Sequence, residues 1–160
     1  GEIVAAVTYN PISDELFTAE KGAGAFLNNK RLRVAGRTDI HEALIGCGIP
    51  HRGSEGQAEH RAELAVLQAK AIGIRRLGSA TLDLAFVAAG RLDAFWERGL
   101  HPWDLAAGIL LVREAGGFTS DCDGDASPLR TGNIIAANAD LLPQLKKELA
   151  AARNAGVRAS

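Results

Sequence analysis

The sequence predicts an α+β or mixed α/β fold, with antiparallel strands first and then a mixed sheet flanked by helices. Three observations carry this. Short apolar segments of strand character, joined by turn residues, fill the chain to about Gly36. Beyond that point strand-like runs alternate with segments of helical period. The 160 residues are 47% hydrophobic and 23% charged, the composition of a globular chain long enough to bury a core without cross-links.

In the first third, Ile3, Ala5, Val7 and Tyr9 share one face of a strand that stops at the turn signal Asn10-Pro11. Leu16 to Ala19 reads as a second strand. Ala25-Phe26-Leu27 and Lys30 to Val34 form a hairpin around Asn28-Asn29, because asparagine tolerates the positive φ of a tight turn. Ala43 to Ile49 is a short strand ending at Pro50. Glu55 to Ala71 places Ala58, Ala62, Ala65, Val66 and Ala69 at helical spacing.

Ile74 to Leu77 is a strand leading into Gly78-Ser79, with Ser79 as N-cap of a helix from Ala80 to Ala89 that Gly90 ends. Leu92 to Trp96 is a strand with Leu92, Ala94 and Trp96 on one side. Pro102 to Ala115 is a helix apolar around its circumference, hence buried. Ile134 to Ala137 is a last strand. Leu141, Leu142, Leu145 and Leu149 line an amphipathic terminal helix with Lys146, Lys147 and Glu148 outside.

Charge and cysteine content narrow the function. Eighteen Lys and Arg against nineteen Asp and Glu give a net charge of -1, which removes the generic electrostatic case for a nucleic-acid or anionic-membrane protein. No apolar run is long enough to span a membrane. Cys47 and Cys122 alone make no disulfide framework, so a reducing cytoplasm is the simpler assignment.

Several motifs fail. Gly22-Ala23-Gly24 and Gly46-Cys47-Gly48 each begin a dinucleotide-loop pattern, but Leu27 and His51 stand where its third glycine belongs. The Asp121 to Asp125 cluster has the wrong glycine and glutamate spacing for a calcium loop and reads as a solvated turn. The four histidines show no paired metal spacing.

Better candidates lie between Arg75 and Gly117. Gly78-Ser79-Ala80 joins a strand to a helix start, either an ordinary capped terminus or a place where free N–H groups receive an anion or polar ligand. Glu97 ends a strand after Phe95-Trp96, either as a surface carboxylate beside Arg98 or as a ligand contact. Asp104 opens the apolar helix, either as a cap or as a metal ligand on a rigid element. All three could converge on one rim of a sheet.

At these residues the chain resembles the inositol monophosphatase family, most closely its bacterial members. The resemblance rests on Trp103-Asp104-Leu105-Ala106-Ala107-Gly108 running on to Glu114-Ala115-Gly116-Gly117. Further support comes from Arg76-Leu77-Gly78-Ser79-Ala80, Ala88-Ala89-Gly90-Arg91-Leu92-Asp93, Gly132-Asn133-Ile134-Ile135-Ala136-Ala137-Asn138 and Lys21-Gly22-Ala23-Gly24-Ala25-Phe26. It implies a sugar-phosphatase-type layered fold and a Mg²⁺-dependent, lithium-sensitive phosphatase, commonly a homodimer, acting on a small phosphate monoester such as inositol 1-phosphate. Carried over, Asp104 matches a metal-ligand aspartate, Glu97 the acceptor of inositol hydroxyls, and Gly78, Ser79 and Ala80 the segment lining the ring pocket. Fructose bisphosphate, histidinol phosphate and phosphoadenosine phosphate are the family's other substrates, and a non-catalytic binding protein on the same fold is the competing reading.

One departure is large. The family's D-P-x-D-G-T motif, which supplies most metal ligands and positions the attacking water, is absent from the 160 residues. The expectation is therefore a C-terminal portion of a longer enzyme, with residues 1–36 a partial antiparallel sheet and 37–160 a C-terminal α/β domain. It contains no complete catalytic set, and the 160-residue polypeptide assayed alone should show no Mg²⁺-dependent phosphatase activity. Measurable metal-dependent turnover by it would overturn that expectation.

Overall fold

The computed structural model describes residues 1–53, 55–124 and 127–157, the side chains of the last three excepted. Its first unit is a four-stranded antiparallel meander, β1 (Ala5–Asn10), β2 (Glu15–Glu20), β3 (Gly24–Leu27) and β4 (Lys30–Arg31), in that spatial order. Asn28 and Asn29 make the β3–β4 turn with φ of 46° and 67°, the left-handed values that the Asn-Asn pair predicts. The second strand of that hairpin is only Lys30–Arg31, shorter than the expected run to Val34.

Alternation decides which way this sheet faces. Ala6, Phe17, Ala19 and Ala25 are buried, while Val7, Tyr9 and Leu16 on the opposite face are exposed. The face that Ile3, Ala5, Val7 and Tyr9 share is thus mainly the outer one. β1 is also an edge strand.

A five-stranded sheet follows, in the order β6 (Gly73–Arg75), β5 (Leu44–Cys47), β7 (Ala94–Glu97), β9 (Ile134–Ala137), β8 (Phe118–Ser120). β5 runs parallel to both β6 and β7, and β9 is antiparallel to β7 and β8. Helices α2 (Ala80–Ala88) and α3 (Pro102–Glu114) pack between the two sheets, in one core that includes Phe17, Leu84, Phe95, Leu105 and Leu111. Helices α1 (Gln57–Gln68) and α5 (Leu141–Val157) cover the other face, in a second core around Leu67, Trp96, Ile135 and Leu145. The short α4 (Pro128–Thr131) precedes β9. The result is a sheet–helix–sheet–helix stack, an α+β architecture with a mixed second sheet, as predicted.

Several local expectations change for reasons of packing. In α1 the buried residues are His60, Glu63 and Leu67, whereas Ala58, Ala65 and Ala69 are exposed, because Leu67, the His60 ring stacked on Trp96 and the hydrogen-bonded Glu63 outweigh small alanines in burial. Leu92 joins Phe95 in the inter-sheet core, not Ala94 and Trp96, since it precedes the regular part of β7. Glu148 is buried, and Lys70 of the α1 end pairs with it at 2.7 Å.

Asp121 is no solvated residue. It is 3% exposed and accepts from the backbone N–H groups of Asp123 and Gly124 and from the Thr131 hydroxyl, so it folds the loop before α4. Asp125 of the same cluster lies outside the described residues. Strand β8 and helix α4 are too short to leave a periodic signal in the sequence.

Candidate active site

The strand order fixes where a site can form. From β5 the chain crosses by α1 to β6 on one side and returns by α2 to β7 on the other, with α1 and α2 on opposite faces. The carboxyl ends of three parallel strands therefore diverge around β5, the location where open α/β sheets bind ligands. Gly48 and Ile49 follow β5, Arg76 to Ser79 follow β6, and Glu97 ends β7.

A cleft of about 340 Å³ occupies this place. Its lining includes all five residues singled out from the sequence: Gly78, Ser79, Ala80, Glu97 and Asp104. A second, larger hollow of about 570 Å³ adjoins it through the shared Gly48, His51, Glu97 and Asp104.

Each candidate is held by its own local physics. Gly78 has φ +89°, a left-handed turn that brings β6 into α2 and that a side chain would strain. Ser79 occupies the extended N-cap of α2, but its hydroxyl makes no capping bond, contrary to the sequence expectation. The first intrahelical bond runs from Asp83 N–H to Ser79 C=O at 2.8 Å, which leaves the earlier N–H groups of α2 without helical partners. Asp104 is the third helical residue of α3. Its Oδ2 accepts from the His101 N–H at 3.0 Å, so the cap reading holds, and its other oxygen is left for a further ligand. The Thr81 hydroxyl donates to the Asp104 carbonyl at 3.1 Å and ties the starts of α2 and α3 together.

Electrostatically the cleft is acidic at its back. Burial pushes the Glu97 carboxyl up to about 7, aided by the negative charges of Asp83 and Asp104 and opposed by Arg76. Asp83, on the buried side of α2, is likewise pushed up to about 7 by burial, against a backbone hydrogen bond from Ser79 and the charge of Arg76. Its Oδ1 has no hydrogen-bond partner. The Cys47 thiol is pushed up to about 11 by burial and by Asp83 and Glu97, which makes it a poor nucleophile.

Sequence reasoning missed Asp83, Arg76 and Gly48. For Asp83 a signal existed: an acidic residue inside the apolar run Leu82 to Val87 has nowhere on that helix to reach water.

Whether these residues suit a magnesium ion follows from the donors. Asp104 offers one free carboxylate oxygen, and among the described residues no group of three or more His, Cys, Asp or Glu could hold a metal. A hard cation wants six oxygen ligands, several of them charged. The described residues thus do not make a magnesium site by themselves. Nor, among them, is any helix long and apolar enough to cross a membrane.

The profile of the inositol monophosphatase family matches residues 1–158. An inositol-1-monophosphatase of Mesorhizobium japonicum is 54% identical over 155 residues, which cover 94% of this chain and 58% of that protein. The Nus factor SuhB of Escherichia coli is 46% identical over 138 residues, covering 86% and 52%. Among solved structures, the extragenic suppressor protein suhB from Bartonella henselae superposes with a TM-score of 0.90 at 52% identity, covering 93% of this chain and 58% of that one. The inositol monophosphatase from Anabaena gives 0.82 at 37%, covering 89% and 57%. The chain spans a little over half the length of the relatives it matches. With agreement along nearly its whole length in both sequence and fold, the chain belongs to the inositol monophosphatase family.

Proposed function

We propose that the complete protein is a Mg²⁺-dependent phosphatase that hydrolyses inositol 1-phosphate to inositol and phosphate. In this reading the chain described here is a C-terminal portion, residues 37–160 forming an α/β domain and 1–36 part of a sheet, and it contributes the polyol side of the site. The observation that carries the reading is the cleft itself: segments around Gly78, Glu97 and Asp104, distant in sequence, open into one space at the carboxyl ends of β5, β6 and β7.

In that space the unpartnered N–H groups at the start of α2 offer donors to an anionic or hydroxylated ligand. Glu97 has only acceptor oxygens when ionised, and polyol hydroxyls are donors that match them. Asp104 would hold part of a magnesium ion, with most of its ligands supplied from outside this chain. Homodimer formation and a cytoplasmic location belong to the same proposal.

The test is kinetic, on the complete protein. Glu97→Gln should raise KM for inositol 1-phosphate by about tenfold, the scale of one lost charged hydrogen bond, and leave kcat less affected. Asp104→Asn should raise the Mg²⁺ concentration for half-activation by at least about tenfold. If neither parameter moves in either variant, the assigned roles are wrong.

A second reading, a regulatory binding protein on this fold, draws on the relatives named Nus factor SuhB. A complete protein that turns over no polyol phosphate with any divalent metal would favour it.

A further inference from the structure

Gly48 follows directly on β5. The register Cys47↔Trp96 in the parallel β5–β7 pair sets Gly48 beside Glu97 at the next step. Gly48 is buried, lines both hollows of the site, and is not in the left-handed region, so its backbone conformation is open to any residue. What excludes a side chain is the neighbour. A Cβ at Gly48 would overlap the carboxyl carbon and both carboxylate oxygens of Glu97. The Glu97 side chain therefore lies across the bare backbone of Gly48, against the floor of the cleft.

We propose that Gly48 is a specificity-determining positioning residue, whose missing side chain creates the berth in which the Glu97 carboxylate meets the hydroxyls of a polyol phosphate. This rests on the reading of Glu97 as a hydroxyl acceptor and extends it to the residue that sets where the acceptor stands. The displaced group in a Gly48→Ala variant is the far end of a flexible side chain, not backbone or packed core, so the fold accommodates the methyl by moving the carboxylate. Glu97 has no room to retreat inward, where the buried Asp83 lines the same cleft with an unpartnered oxygen. It swings toward the cleft mouth. A polyol then loses its acceptor, while a phosphate monoester without hydroxyls loses nothing specific at this position.

The experiment uses the complete protein, with Gly48→Ala, Glu97→Ala and the double variant. The readout is the ratio of kcat/KM for inositol 1-phosphate to that for phenyl phosphate, together with thermal midpoints and a crystal structure of Gly48→Ala. The expected result is a ratio lowered about tenfold or more in Gly48→Ala, mostly through KM for the inositol substrate. The thermal midpoint should stay within about 4 °C of the parent, the scale of a mild packing change. The Glu97 carboxylate should be visibly displaced. In the Glu97→Ala background, Gly48→Ala should change the ratio no further, since there is no carboxylate left to move. A lowered ratio in Glu97→Ala beside an unchanged ratio in Gly48→Ala overturns the role of Gly48 alone. An unchanged ratio in Glu97→Ala overturns the reading of Glu97, and the inference about Gly48 falls with it. Equal loss for Gly48→Ala in both backgrounds shows a structural effect and also overturns the proposal.

Discussion

Replacing Arg98 by methionine should destabilise the fold by about 3–5 kcal/mol, measured by urea unfolding at pH 7. Arg98 is the centre of an ion cluster that joins three parts of the chain. Its Nε and Nη2 donate to Glu63 of α1 at 2.9 and 2.6 Å, and its two Nη groups donate to Asp123 of the loop before α4. Arg153 of α5 pairs with the same Asp123 at 2.7 Å. The Glu63 side chain is fully buried and its other oxygen accepts from the Trp96 indole at 3.1 Å. Removing the guanidinium leaves Glu63 as a buried carboxylate with one neutral donor, and that uncompensated charge is the main cost.

The pH dependence gives this variant a second signature. Burial already raises the Glu63 carboxyl, and Arg98 holds it down; without Arg98 it rises further. A carboxyl raised on folding is least costly at low pH, where it is protonated in both states, and becomes costly as pH climbs through the interval. Asp123 behaves oppositely, since the hydrogen bond from Arg98 lowers its carboxyl below 3.8. Its contribution is present above that pH, is lost as pH falls through the folded value, and disappears in large part with Arg98. Both effects shrink the deficit of the variant toward acid. A constant deficit between pH 8 and pH 5 would mean that packing of the arginine stem, not charge, accounts for it.

Glu63 also illustrates what a sequence can and cannot reveal in this fold. The elements whose signal is periodic or local were readable: the buried helix α3, the Asn28-Asn29 turn, the strand–Gly78–helix junction and the cap at Asp104. The residues that escaped are those whose state depends on a partner far away in the chain. Glu63 and Glu148 look like solvent-facing charges of amphipathic helices until Arg98 and Lys70 are brought to them. Gly48 looks like a glycine in a short strand and a failed dinucleotide-loop pattern until the parallel pairing of β5 with β7 lays Glu97 across it. The same holds for the site as a whole. Each of Gly78, Glu97 and Asp104 had a bland local explanation, and for Asp104 that explanation, a helix cap, is also correct. Only the strand order around β5 puts all three on one cleft.

Replacing Asp83 by asparagine should do the reverse of the Arg98 change and stabilise the protein above neutrality. Asp83 is 1% exposed, has an oxygen with no partner, and carries a carboxyl pushed from 3.8 to about 7 by burial. Because the folded state holds a proton that the unfolded chain releases, stability is greatest below about pH 4 and declines until about pH 7. That interval corresponds to about 4 kcal/mol at most, at ~1.4 kcal/mol per pH unit. An asparagine removes this term but buries an amide whose N–H₂ finds no acceptor where Oδ1 stood, a cost of about 1–3 kcal/mol. The net expectation at pH 8 is a gain of about 1–3 kcal/mol, and at pH 4 none or a loss. The change of sign with pH is therefore the diagnostic outcome, and equal effects at both pH values would refute the buried-charge account. Asp83 also raises the carboxyl of Glu97, so its neutralisation should let Glu97 ionise at lower pH. Under the proposed function, the acid limb of KM for inositol 1-phosphate in the complete protein should then move to lower pH. A buried carboxyl with one unpartnered oxygen, which weakens the fold above neutrality while shifting the titration of its neighbour in the cleft, has the pattern expected of a site residue.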